Sequence, residues 1–176
     1  MANREALREL QTRLASRLQA ARSGAVAASW LAVTAGQTNY LFPLEQAGEI
    51  FPLPHVQPVP YCQPWFMGVT NLRGGLFGVV DLAGFRADAS GRPRTEQALA
   101  QASVLTFNAA LELNCALLVD ALAGLRKREA FSDAVAPAPG SPVYFGSRFM
   151  DLNGVYWQEI NLRSLSQFPE FLSICA

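Results

Sequence analysis

GVTNLRGGLFGVVDL, Gly68 to Leu82, sets two alternating apolar runs about a Gly-Gly pair and leaves one arginine, Arg73, at the bend. Period-two alternation interrupted by glycines predicts a β-hairpin. The pattern returns in FMDLNGVYWQEINL, Phe149 to Leu162. With Asn71 laid on Asp151, Leu72 falls on Leu152, Gly74 on Gly154, Val80 on Ile160, Asp81 on Asn161 and Leu82 on Leu162. Asn153-Gly154 in the second copy is a strong two-residue turn signal, so Arg73-Gly74 is read as the same bend. Asp81 and Asn161 each close an apolar run and are good N-caps, so each hairpin is expected to feed a short helix. A second correspondence lays Leu44-Glu45 on Val119-Asp120 and Ile50 on Leu125. A repeat this long exceeds a solenoid unit and fits a duplicated β-subdomain, each half a small barrel.

Outward from the hairpins, the runs Trp30–Thr34 and Asn39–Leu44 flank Ala35-Gly36-Gln37 and predict a further hairpin. From Pro43 to Pro64 recurrent prolines restrict the chain to edge strand or ordered loop. Residues 86–97 read as a linker, with Thr95 placed to cap a short helix through Ala102. Ser103–Phe107 and Leu113–Val119 form a second strand pair, and the Pro/Gly cluster from Ala136 to Pro142 is a surface loop. Residues 1–24 differ in texture. Leu7, Leu10, Leu14 and Leu18 recur at helical spacing among arginines, with Asn3 as N-cap and Gly24 as terminator. This amphipathic helix either docks on its own domain or engages a partner. The expected organisation is that helix, a domain over 25–172 and a tail at 173–176; segments 25–86 and 145–172, with 103–135, supply the two barrel halves.

The chain has 176 residues, 51% of them hydrophobic, enough for a core. Fourteen basic residues balance fourteen acidic ones, so no global field draws in a nucleic-acid backbone. A small-barrel oligonucleotide-binding protein remains the alternative of another class, although there is no basic stripe. No apolar run approaches the roughly 20 residues of a membrane span, so no direct membrane insertion and a cytoplasmic location are expected. Cys62, Cys115 and Cys175 are far apart and form no CxxC pair, and are expected to be reduced, mostly buried thiols. His55, the single histidine, lies between Pro54 and Pro58 and reads as a loop or interface residue. One histidine with scattered cysteines does not make a zinc site, no GxSxG elbow occurs, and Gly74, Gly75 and Gly78 precede a β-run instead of a helix. The residues therefore point to no catalytic site, no metal and no cofactor.

What stands out is Arg73. A guanidinium on a bend fixed by two strands offers five donors to a carboxylate or carbonyl of a partner. It is equally able to fold back onto Asp81, Glu45 or Glu49 as an internal ion pair.

GVTNLRG followed by VVDL, together with YLFPLEQAGEI, Val59-Pro60 and ALLVDALAGLRK, resembles the CheW family of coupling proteins of bacterial chemosensory arrays, from about Ala25 to Leu172. The resemblance implies a mainly β fold of two pseudo-symmetric, interlocked five-stranded barrels of SH3/OB-like type, preceded here by the helix. It implies an adaptor without catalytic activity. Its partners would be the cytoplasmic tip of methyl-accepting receptors and the regulatory domain of a CheA-type histidine kinase, at membrane-bound receptor arrays. Glu49, Ile50, Asn71, Leu72, Arg73 and Gly74 match the receptor- or kinase-binding positions. Ala83-Gly84-Phe85 and Asn161 depart from the family pattern. The helical N-terminus and Val155-Tyr156-Trp157 look more like couplers of type IV pilus (twitching motility) arrays than those of flagellar chemotaxis, which is the alternative.

Overall fold

The computed structural model describes residues 28–86 and 94–175, so the helix expected over 1–24 and most of the 86–97 linker lie outside the described residues. The strands are β1 (Ala28–Ala35), β2 (Thr38–Pro43), β3 (Ala47–Pro52), β4 (Phe66–Leu72), β5 (Gly75–Asp81), β6 (Ser103–Phe107), β7 (Cys115–Val119), β8 (Ala121–Lys127), β9 (Phe131–Val135), β10 (Phe145–Asp151) and β11 (Tyr156–Ile160). Short helices α1 (Leu82–Phe85), α2 (Glu96–Gln101), α3 (Leu162–Ser166) and α4 (Pro169–Leu172), with single 3-10 turns at Ala109–Leu111 and Arg128–Ala130, complete the described elements. Asp81, Thr95 and Asn161 cap α1, α2 and α3 through their side chains, as their sequence positions predict.

Two sheets form, ordered β8-β1-β2-β11-β10-β9 and β3-β6-β7-β5-β4. Exchanging β1 with β6, β2 with β7, β3 with β8, β4 with β10 and β5 with β11 carries one order onto the other. Both sheets draw strands from both halves of the sequence, which is the interlocking. The parallel pairs β2/β11 and β5/β7 occupy equivalent places. The expectation of five strands each is met on one side only, because β9 adds a sixth strand to the first sheet. At the equivalent place beside β4 only Gln57 pairs, with Val69. Pro54, Pro58 and Pro60 surround Gln57 and lack the N–H groups a ladder needs.

Burial follows from this topology. Along β2, Tyr40 and Phe42 enter the main core while Leu41 points to a second cluster with Ala32, Phe131, Phe149 and Trp157. Along β7, Cys115, Leu117 and Val119 join the main core, and Ala116 and Leu118 pack with Leu72, Val79 and Val104. Strands with both faces covered read as continuous apolar runs. The two halves are also tied by polar groups. The buried Gln46, between β2 and β3, accepts the Leu162 N–H through Oε1 at 2.7 Å, adding a cap from the first half to α3 of the second.

The linker returns as an ion-pair strap. Arg94 donates to both carboxylate oxygens of Asp81 at 2.7 and 2.8 Å and, through Nε, to Asp120. Asp120 also accepts the Gly36 N–H at 2.6 Å, so one guanidinium joins the β5–α1 junction, the β7–β8 step and the β1–β2 turn. The hydrogen bonds it donates to Asp81, and then to Asp120, hold the Arg94 guanidinium above its ordinary pKa, against the opposing effect of desolvation.

The cysteines differ in part from expectation. Cys115 is buried, and burial pushes its thiol up to about 12. Cys62 is half-buried and Cys175 exposed, and the two face each other across an isolated antiparallel bridge. Their sequence separation concealed a neighbourhood that the fold creates.

The strap yields a stability prediction. The side chains of Arg94, Asp81 and Asp120 are only 16%, 21% and 28% exposed, so removing the cation leaves two mostly buried carboxylates without it. Arg94→Ala is expected to lower unfolding free energy by about 2–3 kcal/mol in urea titrations. Arg94→Lys is expected to recover only part of this, because an ammonium does not reproduce the forked contact.

Candidate functional site

The bend at Arg73 is a two-residue loop: Leu72 pairs with Gly75, leaving Arg73 (φ 49°) and Gly74 (φ 84°) both left-handed. That is the conformation of a type I′ turn, whose hand matches the twist of the flanking strands. Asn71 stiffens it by accepting the Gly74 N–H through Oδ1 at 2.9 Å. Leu72 is buried against Val79, Val104 and Leu118 and anchors the hairpin from inside. Arginine is a poor choice for a left-handed position, which costs a residue bearing a Cβ about 1–2 kcal/mol. A strained non-glycine position of this kind is typical of functional sites.

The second hairpin differs from the expected two-residue turn. Met150 pairs with Tyr156 and the Asp151 N–H donates to Val155 at 2.9 Å, so the loop has three residues, Leu152 to Gly154. Gly154 is left-handed (φ 79°) but Asn153 is not. The cause is the Asp151 carboxylate, whose Oδ1 accepts the N–H groups of Asn153 and Val155 at 2.8 and 2.9 Å and holds a wider turn. Asn153 is therefore not the conformational counterpart of Arg73.

Arg73 does have an intramolecular partner. Its guanidinium lies 2.8 Å from the Glu49 carboxylate, with both side chains more than half exposed, and 5.8 Å from the centre of the Phe51 ring. Of the other two acids within sequence reach, Asp81 is taken by Arg94, and Glu45 makes no ion pair with Arg73. Glu49 is aimed by a local irregularity in β3: the register with β6 shifts between Ala47 and Ile50, and Thr106 Oγ1 accepts the Glu49 N–H at 2.8 Å. A side chain on Gly48 would collide with Thr106, so the approach requires glycine. β3 and β4 are opposite edges of one sheet, and the Arg73–Glu49 pair joins them where the sheet curls closed.

The six residues singled out in the sequence thus lie in two places, the middle of β3 (Glu49, Ile50) and the end of β4 with its turn (Asn71 to Gly74), which the Arg73–Glu49 pair brings together. Glu49, Asn71, Arg73 and Gly74 are exposed, Ile50 is 41% exposed and Leu72 faces inward. Beside them runs a shallow groove of about 420 Å³ lined by Pro54, His55, Gln57, Val69, Thr70, Asn71 and Leu76. His55 helps to shape it through its carbonyl, which accepts the Thr70 hydroxyl at 2.7 Å. Leu76, 64% exposed, escaped the sequence reading. Its outward position opposite Asn71 on β5 was the available signal.

A rigid bend carrying an exposed ion pair, next to a groove with an apolar wall, is the equipment of a protein-binding scaffold. The chain belongs to the CheW-like domain family, whose model matches residues 29–165, and with that family it is a non-catalytic scaffolding adaptor of chemotaxis-type signalling. It is similar to Protein PilI of Pseudomonas aeruginosa, with 25% identity over 169 residues covering 92% of this chain and 88% of that protein. Its fold is similar to that of the scaffolding protein TtCheW from Thermoanaerobacter tengcongensis, with a TM-score of 0.62 at 16% identity, covering 77% of this chain and 89% of the other. Among the described residues no helix is long and apolar enough to cross a membrane.

The contrast between the hairpins generates two predictions. Arg73→Gly removes the left-handed strain while losing one exposed ion pair worth at most about 1 kcal/mol, so its urea midpoint is expected to equal or exceed that of the parent. For Asp151, the Trp157 Nε1 donor at 3.0 Å and then the Val155 N–H hold the carboxyl below its ordinary pKa. A depressed folded-state pKa contributes stability above the unfolded carboxyl pKa, and that contribution is lost as pH falls through the folded value. The stability difference between the parent and Asp151→Asn is therefore expected to shrink between pH 6 and pH 3 in parallel urea titrations.

Proposed function

We propose that this adaptor couples the cytoplasmic tip of a methyl-accepting receptor to the regulatory domain of a CheA-type histidine kinase, and that it serves a type IV pilus array. The observation that carries the reading is Arg73 itself: a strained, exposed arginine held at a fixed bend beside Glu49. Glu49 pairs with Nη2 of a guanidinium whose side chain is 73% exposed, which leaves further donors for a partner group. Asn71 and Gly74 shape the bend, Leu72 anchors it, and Ile50 adds apolar area next to Glu49. The pilus assignment draws on the similarity to PilI, and the array-associated location follows from the receptor partner.

The same pair supports two functional descriptions, a purely internal bridge or a docking element, and they differ in a measurable way. With purified receptor-tip and kinase regulatory-domain fragments in calorimetric titrations, Arg73→Ala is expected to weaken binding to the receptor tip about 30-fold or more, as for a central interfacial arginine. Its unfolding free energy is expected to change by no more than about 1 kcal/mol. The double exchange Arg73→Glu with Glu49→Arg restores the internal pair but reverses the charge order at the surface. Binding that returns with this double variant would identify the bridge alone as the requirement and overturn the docking role.

A further inference from the structure

We propose that Cys62 and Cys175 form a reversible disulfide clasp, an oxidant-responsive modification site that fastens the segment beyond α4 to the loop preceding β4. Cys62 and Cys175 are directly opposed in an antiparallel bridge, and the Gln63 N–H donates to the Ile174 carbonyl at 2.8 Å. A hydrogen bond between the residue after one cysteine and the residue before the other marks a non-hydrogen-bonded pair. That is the closer of the two antiparallel arrangements, with Cα atoms about 4.5 Å apart and both side chains on one face. Disulfides require Cα separations of roughly 4.4–6.8 Å, so the backbone already meets the condition.

The surroundings give such a bond something to hold. Just before Cys175, α4 contributes the buried Phe171, which packs on Trp65, Phe85 and Phe107. The Cys62 loop includes Gln57, bridged to Val69 of β4, and it lines the groove beside Asn71. Burial, then the neighbouring Cys175, raises the Cys62 thiol above its ordinary pKa. Its Sγ hydrogen is directed to the Pro60 carbonyl at 3.6 Å, so the reduced thiol is held protonated and reacts through its ionised fraction, which makes oxidation slow. Cys115 is buried in the main core and stays outside this chemistry.

The oxidant class is a hydroperoxide. One thiol ionises and its thiolate attacks hydrogen peroxide, breaking the O–O bond to give a sulfenic acid, while the departing hydroxide takes up the thiol proton as water. The second thiol ionises in turn, its sulfur displaces the sulfenic hydroxyl to form the S–S bond, and its proton leaves with that hydroxide as a second water. Two thiols are oxidised, one peroxide is reduced, and a dithiol reductant reverses the change.

The test treats the full chain with a small excess of hydrogen peroxide, then counts thiols under denaturing conditions and maps peptides without reduction. Free thiols are expected to fall from three to one, with Cys62 and Cys175 peptides joined and dithiothreitol restoring both. Melting of the oxidised chain is expected on the order of 10 °C higher, because the bond closes a loop of more than a hundred residues. Cys175→Ser, at an exposed position, abolishes the joined peptide and the melting shift, whereas Cys115→Ser leaves both unchanged. Disulfide-linked dimers, sulfinic acid at Cys175 with Cys62 still free, or a joined peptide without change in melting would each overturn the clasp.

Discussion

β2 and β7 are covered on both faces, and each therefore has two cores to satisfy with alternate side chains. Tyr40 and Phe42 serve the core shared by the two sheets while Leu41 serves the interior of its own curl; Leu117 and Leu118 divide in the same way on β7. A slip of one residue would exchange these sets and place every side chain against the wrong neighbours. Register is therefore tightly specified at the two strands on which both sheets are built. The parallel partners β11 and β5 arrive from the opposite ends of the two halves, so neither half has a complete sheet by itself. The core between the sheets is the product of this exchange.

The candidate site depends on the same closure. Glu49 lies on one edge strand and Arg73 on the turn that ends the opposite edge strand, and their side chains meet across the curl of the β3-β6-β7-β5-β4 sheet. The inward anchor Leu72 and the Asn71 cap fix the bend from below, and the irregularity at Gly48-Glu49 turns the acid toward it. Exposed ion pairs contribute little to stability, so this arrangement is better suited to presenting charge than to holding the fold. The Arg94 strap is the opposite case: its three side chains are mostly buried and its partners come from both halves.

Much of this was legible from residues alone where a signal and its cause lie within a few positions. The β1–β2 and β4–β5 hairpins follow from alternation and turn residues, the β6–β7 pair from two short apolar runs, and the caps at Asp81, Thr95 and Asn161 act on N–H groups two or three residues away. The duplication followed from matching hairpins, and the family resemblance agreed with it. β8 and β9 were not placed as strands because their side chains are mostly exposed and carry little alternation. The width of the second hairpin was misread because the Asp151 carboxylate overrode the Asn-Gly preference.

By itself the sequence determined the local grammar of this protein: where the chain turns, which runs become strands, which residues cap the helices, and that a β unit occurs twice. Tertiary structure alone decided which partners meet. Glu49 with Arg73, Arg94 with Asp81 and Asp120, and Cys62 with Cys175 are pairings that only the order of strands brings together. The physical reason is range. Turn geometry and capping are completed by neighbours in sequence, whereas an ion pair or a thiol pair needs two segments brought together by burial of the apolar strands between them.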